Sequence, residues 1–327
     1  MGKLLEVNNL SVSFDAPVGE IEALRDVSFS LEAGEVLAIV GESGCGKSVL
    51  CKTIMKLLPK TAWIKSGSIL VDGTDITGYP ERDMQKLRGR LFSMVFQDPM
   101  TALNPTIPIG RQIAEAVLVH DRKLPAQEVR RRVLQLMELV DIQRPEERYG
   151  LYPYNFSGGM RQRAVMAIAL ASNPRILFAD EPTTALDVTI QAQILDLLRE
   201  VQAKLGTATV LVSHDLGVVA RVADRVAVMY AGKIVEIGTA DEIFFEPHHP
   251  YTTGLLACVN NPEEDDKELH PIPGSPPDLL APPAGCPFVD RCSCAMRICK
   301  DYMPEMTELS GTHKCACWLE QKKEALA

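Results

Sequence analysis

Three short apolar runs in the chain contain no polar residue. They are VLAIV at 36–40, ILFA at 176–179 and VLV at 210–212, followed respectively by Gly, Asp and Ser-His. Uninterrupted runs of this length are typical of strands that are covered on both faces, as in a parallel sheet flanked by helices. In open α/β folds, ligands bind at the carboxyl edge of such a sheet. The pattern therefore predicts an α/β fold with a ligand site just after these strands.

A different periodicity is present between residues 125 and 140. Apolar residues recur there at helical spacing, and the arginines at 130–132 lie on the opposite face, which we interpret as the solvated side. We therefore predict a mainly helical subdomain at about 98–160 inside the α/β body. Further along, VAVMY and KIVEI within 226–237 flank Ala-Gly, a pattern that predicts a hairpin near the end of this body.

The composition of the chain changes at about residue 246. Half of the 22 prolines follow this point, and the residues between them show no long periodic stretch. We therefore predict two domains. Residues 1–245 form the α/β domain, and residues 246–327 form a smaller, loop-rich extension.

The formal net charge of −9 disfavours broad electrostatic binding to nucleic acid or to anionic lipid. No apolar run approaches the roughly 18 residues that a membrane-spanning helix needs. The first residues also lack the apolar stretch of a signal peptide. We therefore expect a cytosolic protein that does not bind nucleic acid and that contacts any membrane through other proteins.

The strongest local motif is GESGCGKS at residues 41–48, which matches the phosphate-loop pattern G-x-x-x-x-G-K-[ST]. Glycines let backbone N–H groups turn toward the phosphates, and the helix that follows adds its positive N-terminal end. Lys47 is expected to reach the β- and γ-phosphates, and the Ser48 hydroxyl to bind Mg²⁺. The predicted ATP-contacting residues here are Gly41, Glu42, Ser43, Gly44, Cys45, Gly46, Lys47, Ser48 and Val49.

The second apolar run ends in two adjacent carboxylates, Asp180 and Glu181. We expect Asp180 to hold Mg²⁺ and Glu181 to polarise the attacking water, because phosphoryl transfer depends on positioning and on charge compensation. The phosphate loop and this carboxylate pair together predict ATP binding and hydrolysis.

Four further motifs follow the order used by one known family. NFSGGMRQR at 155–163 resembles the signature sequence of ATP-binding cassette (ABC) proteins. VFQDP at 95–99 resembles the Q-loop of that family, ALD at 185–187 its D-loop, and VSHD at 212–215 its switch-histidine segment. The chain is therefore identified as similar to ABC ATPases.

This resemblance implies a specific fold and a shared site. The fold would be an ABC-type nucleotide-binding domain, in which antiparallel β and helical subdomains accompany a phosphate-loop parallel sheet core. Gln97 would contact Mg²⁺ or the attacking water, and His214 would contact the γ-phosphate. Ser157 begins a predicted helix whose N–H groups would face the γ-phosphate bound by an opposite subunit. The expected signature and D-loop contacts are Ser157, Gly158, Gly159, Gln162 and Asp187.

Phe14 stands where the family places the aromatic side chain that stacks on adenine. Leu10, Val12 and Phe14 also alternate like one face of a strand. Adenine stacking is therefore the preferred interpretation of Phe14, and core packing is the alternative.

The tail carries six of the nine cysteines, between Cys286 and Cys317. In a reducing compartment such a cluster favours metal ligation over disulfides. EPHHPY at 246–251 and GCPFVDRC at 285–292 resemble the C-terminal extension of oligopeptide, dipeptide and nickel importer ATPases. The resemblance implies a [4Fe–4S] cluster held by Cys286, Cys292, Cys299 and Cys315.

The spacing of these four cysteines is compatible with such a cluster and lacks the paired C-x-x-C knuckles that are usual for structural zinc. Zinc remains an alternative because Cys294, His313 and Cys317 offer further ligands, and a tail without metal is a second alternative. In each case we expect a structural role.

Taken over nearly the whole chain, the resemblance implies the ATP-hydrolysing subunit of an ABC importer, peripheral at the cytoplasmic face of the cell membrane. Its partners would be a homologous second ATPase subunit, in preference to a second copy, two transmembrane permease subunits and, indirectly, an extracytoplasmic solute-binding protein. Peptides are the favoured cargo, with nickel or a metallophore as the alternative.

Two functions from other classes remain as rival hypotheses. A soluble ABC ATPase not coupled to transport usually carries paired cassettes, coiled-coil insertions or basic surfaces, whereas this chain is a single cassette with a charge of −9. A nucleotide-dependent scaffold is disfavoured because Glu181 is intact.

Overall fold

The computed structural model describes residues 2–184, 187–258 and 271–324. Within these ranges, none of the helices is both long enough and apolar enough to cross a membrane. The strands are β1 (Lys3–Ala16), β2 (Gly19–Glu32), β3 (Val36–Val40), β4 (Ala62–Val71), β5 (Thr74–Asp75), β6 (Phe92–Val95), β7 (Ile176–Asp180), β8 (Ala208–Ser213), β9 (Arg225–Tyr230), β10 (Lys233–Thr239), β11 (Thr307–Glu308) and β12 (Lys314–Cys315).

The α-helices are mostly short, and two single 3₁₀ turns, Pro153–Asn155 and Val289–Arg291, accompany them. The helices are α1 (Lys47–Ile54), α2 (Glu81–Leu87), α3 (Pro99–Ala102), α4 (Ile109–Leu118), α5 (Ala126–Leu139), α6 (Pro145–Arg148), α7 (Gly158–Leu170), α8 (Val188–Leu205), α9 (Leu216–Val222), α10 (Ala240–Phe245), α11 (Pro250–Ala257), α12 (Ile298–Asp301) and α13 (Trp318–Glu324).

The chain divides into two compact units. The first unit consists of Glu32–Val36 and Tyr79–Val212, and the second consists of Gly2–Leu31, Leu37–Gly78 and Ser213–Ala327. Both units are discontinuous in sequence, so residues that are distant along the chain meet inside each of them.

The first unit is built on parallel strands in the order β8-β7-β6. Every residue of β7 is buried, which explains why that run carries no polar residue until its end. The amphipathic helix predicted from the sequence is α5, which buries Val129, Val133, Leu136 and Met137. The arginines at 130–132 are exposed, so they are the solvated face.

The C-terminal end of α5 is tied to α7 by a buried arginine. One terminal nitrogen of the Arg163 guanidinium donates to the Val140 carbonyl (2.9 Å) and pairs with the Asp141 carboxylate (3.1 Å). This contact attaches α7, the helix that begins inside the signature motif, to the end of α5.

The second unit contains an antiparallel sheet in the order β2-β1-β4-β5. The pairing of β1 with β4 shifts register between Ser11 and Val12, and Val12 and Ser13 are both buried. A bulge of this kind places two successive residues on one face and interrupts the alternation of the strand.

The second unit also contains β3, which pairs in parallel with β9, and β9 pairs antiparallel with β10. The turn between β9 and β10 contains Ala231 at φ 47° and Gly232 at φ 79°. Two successive positive φ values belong to the type I′ turn, whose twist matches that of a hairpin. The predicted hairpin is therefore confirmed.

The proline-rich tail packs into the core of the second unit. The rings of Tyr230, Tyr251 and Phe288 lie 4.5–5.3 Å apart between centroids. Strand β12 pairs with β10, and Ala316 donates its backbone N–H to the Val235 carbonyl (2.8 Å). The change in composition near residue 246 is thus not accompanied by a change of core.

Candidate nucleotide site and cysteine cluster

The phosphate loop connects β3 to α1, and two of its glycines lie close against neighbouring backbone. Gly41 has φ 151° and Gly46 has φ 107°, conformations that other residues rarely adopt. A Cβ on Gly41 would overlap the Met229 carbonyl, and one on Gly46 would lie 2.7 Å from the Ala23 carbonyl oxygen. Larger residues would therefore push the loop away from the strands that support it.

Lys47 begins α1, and its side chain folds back over the loop. The Nζ donates to the carbonyl oxygens of Gly41 (2.7 Å) and Glu42 (2.9 Å), and the residue is buried. The ammonium group is therefore positioned inside the curve of the loop, whereas Ser43 and Gly44 are exposed at its surface. Ser48 and Val49 are half-buried in the first turn of α1.

Cys45 lies in the interior of the loop. Its thiol is 3.8 Å from the Lys47 Nζ, and the residue is 5% exposed. Burial raises the pKa of this thiol, and the neighbouring Lys47 only partly opposes the effect. The thiol is therefore protonated at neutral pH and fills space under the loop.

The carboxylate pair at the end of β7 has two different environments. Asp180 is the last residue of the strand and is buried. Glu181 leaves the strand at φ 49°, a left-handed conformation that is unfavourable for a residue with a side chain. Its backbone N–H still donates to the Val212 carbonyl (2.9 Å) and keeps the turn attached to β8.

The Glu181 carboxylate is held by two side chains of the first unit. Its Oε2 accepts hydrogen bonds from the Gln97 Nε2 (2.8 Å) and from the Thr184 Oγ1 (2.9 Å). The structure thus brings together Gln97 and Glu181, which the sequence predicts from separate motifs 84 residues apart. Sequence analysis missed Thr184, although its position three residues after Glu181 is a signal for a turn contact.

The signature motif places its serine at the start of a helix. Ser157 is the N-cap of α7, and its Oγ accepts from the Met160 N–H (3.4 Å). Ser157 and Gly158 are exposed, whereas a Cβ on Gly159 would lie 2.6 Å from the Ile190 Cγ2. Gln162 is 1% exposed, so its side chain is not available to a ligand at the surface of this chain.

Asp187 caps α8 by accepting from the Ile190 N–H (2.9 Å). The other two residues of the D-loop, Ala185 and Leu186, lie outside the described ranges. Because the Ile190 side chain also lies against Gly159, the D-loop aspartate and the signature glycine are both next to Ile190.

The two remaining predicted residues of the nucleotide site belong to the second unit. His214 is exposed and directly precedes Asp215, which caps α9 through the Gly217 and Val218 N–H groups. Phe14 is half-buried and pairs with Ala62 across β1 and β4, whereas Leu10 and Val12 are fully buried. Phe14 is thus less buried than Leu10 and Val12, which is compatible with stacking on adenine.

Five cysteines of the tail line one small cavity. Cys286 is brought near Cys299 because its N–H donates to the Cys299 carbonyl (2.8 Å). Burial raises the pKa of Cys286 to about 12 and that of Cys317 to about 11. The lining residues are Cys286, Cys292, Cys294, Cys299, Cys317, His249, Pro250, Phe288, Val289, Met296, Pro304, Trp318 and Leu319.

Cys315 differs from the other three cysteines of the ligand set expected from the sequence in its position relative to the cavity. Cys315 lies in β12 opposite Glu236 of β10, and it is not among the residues that line the cysteine cavity. Burial, followed by the neighbouring Glu236 carboxylate, raises the pKa of its thiol. Cys317, two residues further on and just before α13, lines the cavity instead.

Glu236 belongs to a buried polar network beside this cavity. Its carboxylate accepts from the backbone N–H groups of His248 (2.7 Å) and His249 (3.0 Å), and it lies 2.9 Å from the His313 Nε2. Within the described ranges, no group of three or more His, Cys, Asp or Glu side chains is arranged to hold a metal ion.

Two family models match the chain. Residues 24–184 match the model described as ABC transporter, and residues 235–299 match the model described as oligopeptide/dipeptide transporter, C-terminal region. The first match contains the phosphate loop, the signature motif and the carboxylate pair. The second begins in β10 and ends at Cys299.

Curated relatives match over nearly the full length of the chain. The oligopeptide transport ATP-binding protein OppD of Bacillus subtilis (strain 168) is 53% identical over 97% of this chain and 89% of that protein. The dipeptide transport ATP-binding protein DppD of the same organism is 53% identical over 99% of this chain and 96% of that protein.

Among solved structures, an ATP-binding cassette in a dimeric post-hydrolysis state with ADP and phosphate has a TM-score of 0.65 and 26% identity. The match covers 72% of this chain and 98% of that one. The resemblance to ABC ATPases and the predicted ABC-type fold are therefore confirmed.

Proposed function

The chain belongs to the ATP-binding subunits of ABC transporters, in the branch that carries the oligopeptide/dipeptide C-terminal region, and we propose that it powers the import of peptides. It is accordingly an ATPase whose hydrolysis is coupled to transport. The observation that carries the peptide assignment is the match at 53% identity over almost the whole chain to peptide transport ATP-binding proteins. Nickel or metallophore import is the alternative.

We propose a role for the main predicted residues of the nucleotide site. Lys47 binds the β- and γ-phosphates, because the loop already positions its ammonium group. Ser48 and Asp180 are the Mg²⁺ ligands. Glu181 polarises the attacking water, and His214 contacts the γ-phosphate.

Gln97 also has a role at the Glu181 carboxylate. The Gln97 Nε2 donates to the Glu181 Oε2 (2.8 Å). Arrival of Mg²⁺ and water would compete for both groups, so a change at Gln97 is a route by which the nucleotide state reaches other subunits.

The partners we propose follow from family membership. A second ATPase subunit, homologous to this chain, supplies a Ser-Gly-Gly segment to the ATP bound here, and residues Ser157 to Gly159 of this chain serve the ATP of the partner. The exposed N-terminus of α7 is suited to this contact. Two permease subunits hold the pair at the cytoplasmic face of the membrane, and a solute-binding protein delivers cargo from outside.

The peptide assignment is tested by reconstituting the chain with its permease partners in proteoliposomes. We expect ATP hydrolysis to rise several-fold when the binding protein carries a peptide, and not when nickel is offered. The matched control is the same assembly with Lys47→Ala, which removes the phosphate-binding ammonium group. Stimulation by nickel alone would overturn the peptide assignment, and hydrolysis that is insensitive to any solute would argue against a transporter.

We further propose that the tail holds an iron–sulfur cluster through Cys286, Cys292, Cys299 and Cys317. The support is the donor set, since these four thiols line one cavity with apolar walls. Cys286, Cys292, Cys299 and Cys317 would be the thiolate ligands of a four-iron cluster. The cluster would cross-link the loop-rich tail, and iron binding would deprotonate thiols whose pKa is raised by burial.

Two cysteines separated by one residue provide a matched test of this ligand set. We expect Cys317→Ser to lose most of the bound iron and sulfide after anaerobic purification, because it removes a ligand. Cys315→Ser keeps them, because the Cys315 thiol lies beside Glu236. The measurement is iron and sulfide per chain, together with the visible absorption. Loss of iron in Cys315→Ser alone, or zinc in the wild-type chain, would overturn the proposal.

A further inference from the structure

A residue of the phosphate loop is bound by side chains from the C-terminal segment. The Arg291 guanidinium forms a two-pronged ion pair with Glu42, in which Nη1 donates to Oε2 (2.7 Å) and Nη2 donates to Oε1 (2.9 Å). The Glu42 backbone N–H donates to the Tyr251 hydroxyl (2.9 Å). Both the carboxylate and the backbone of the second loop residue are thus held from outside the loop.

Arg291 is itself rigidly fixed. Its Nε donates to the Pro273 carbonyl (2.8 Å), Nη2 donates to the Ile272 carbonyl (3.2 Å), and Nη1 donates to the Tyr230 hydroxyl (3.2 Å). The side chain is 6% exposed. Because these hydrogen bonds fix the planar guanidinium, its Nη1 and Nη2 atoms face Glu42 in one orientation.

The charge of Glu42 makes this contact relevant to nucleotide binding. The phosphate loop binds an anion, and an unpaired carboxylate on it would repel the phosphates. The positive charge of Arg291 neutralises that carboxylate. The pair is bidentate, which is the strongest common arrangement of a guanidinium and a carboxylate. It also draws the side chain of Glu42 toward the C-terminal segment, where Tyr251 holds the backbone.

From these contacts we infer that Arg291 is a positioning residue for ATP binding. It couples the cysteine-rich tail to the phosphate loop by neutralising and orienting Glu42. The inference rests on the assignment of residues 41–48 as the ATP-binding loop. Arg291 lies between Cys286 and Cys292 in sequence, so an intact fold of the tail is a condition for full ATP affinity.

The test is equilibrium binding of ATP to the purified full-length chain in EDTA, where hydrolysis does not occur. We expect Arg291→Gln to raise the Kd about tenfold, the factor that corresponds to 1.4 kcal/mol. Arg297→Gln is the matched control, because Arg297 is exposed on the same tail and the same charge is removed. Its Kd should remain that of the wild type.

Charge rescue separates this role from simple support of the fold. Glu42→Gln combined with Arg291→Gln removes both charges, so the double variant should recover most of the affinity that Arg291→Gln loses. If Arg291 acted only through Tyr230, Ile272 and Pro273, the double variant would bind as weakly as the single one, and that result would overturn the inference.

A parallel measurement on Lys47→Ala distinguishes the coupling from the site itself. If Lys47→Ala loses ATP affinity while Arg291→Gln binds ATP normally, the loop is the ATP site, and the proposed coupling of the tail to the loop through Arg291 is contradicted. If Lys47→Ala binds ATP normally, the assignment of the loop is wrong as well. Thermal unfolding of each variant shows whether a change in Kd accompanies a loss of folded protein.

Discussion

Replacing Lys47 by alanine is expected to remove most of the ATP affinity of the chain. The ammonium group is already fixed inside the phosphate loop by the carbonyls of Gly41 and Glu42 (2.7 and 2.9 Å). Charge-assisted hydrogen bonds are each worth about 1.5–3 kcal/mol, so the loss of one phosphate contact corresponds to a Kd raised roughly ten- to hundredfold. Isothermal titration with ATP measures this effect directly.

The matched control is Lys52→Ala, which removes the same group from the last turn of the same helix, α1. Its Kd for ATP should stay within about twofold of the wild type, since the residue is outside the loop. Lys47→Ala also leaves two loop carbonyls without this donor, so thermal unfolding is recorded for both variants. Equal ATP affinity in the Lys47 and Lys52 variants would contradict the assigned role.

Replacing Glu181 by glutamine is expected to abolish hydrolysis while leaving ATP bound. The amide has the shape of the carboxylate, and its oxygen can still accept from Gln97 and Thr184, so the local structure is preserved. What it lacks is the negative charge that polarises water. General bases contribute about 10²–10⁴-fold to rate, which sets the expected fall in kcat.

Two measurements check this prediction. Steady-state phosphate release should fall by that factor, and size-exclusion chromatography with ATP should show a stable dimer, with this chain as its own partner or with its homologue. Glu146→Gln is the control, because Glu146 is an exposed carboxylate in α6 of the same unit. Hydrolysis by Glu181→Gln at the wild-type rate would show that another group activates the water.

The motifs of the nucleotide site are readable from the sequence because their chemistry is local. A phosphate loop needs glycines at fixed offsets and a lysine at the start of a helix, and Gly41, Gly46 and Lys47 occupy those positions. The uninterrupted apolar runs likewise identify β3 and β7, since strands buried on both faces are mostly apolar. The hairpin is also readable from the sequence, because its turn is formed by two adjacent residues, Ala231 and Gly232.

Contacts between distant segments are not readable in this way. The spacing of the cysteines along the sequence does not show whether Cys315 or Cys317 lines the cysteine cavity. Only the structure shows this, because it places Cys315 in β12 opposite β10 and Cys317 in the wall of the cavity. The buried position of Gln162 on α7 is a similar case, because burial depends on neighbours that the motif does not specify.

The sequence by itself determined that this chain has the nucleotide site of an ABC-type ATPase, because those motifs are short and the residue types of the phosphate loop follow from phosphate chemistry. The tail could be identified only by its resemblance to oligopeptide, dipeptide and nickel importer ATPases. Only the tertiary structure decided that Arg291 and Tyr251 hold Glu42 of the phosphate loop, across separations of 249 and 209 residues. The physical reason is that an ion pair depends on the distance between two groups in space, and the packing of the tail into the second unit sets that distance.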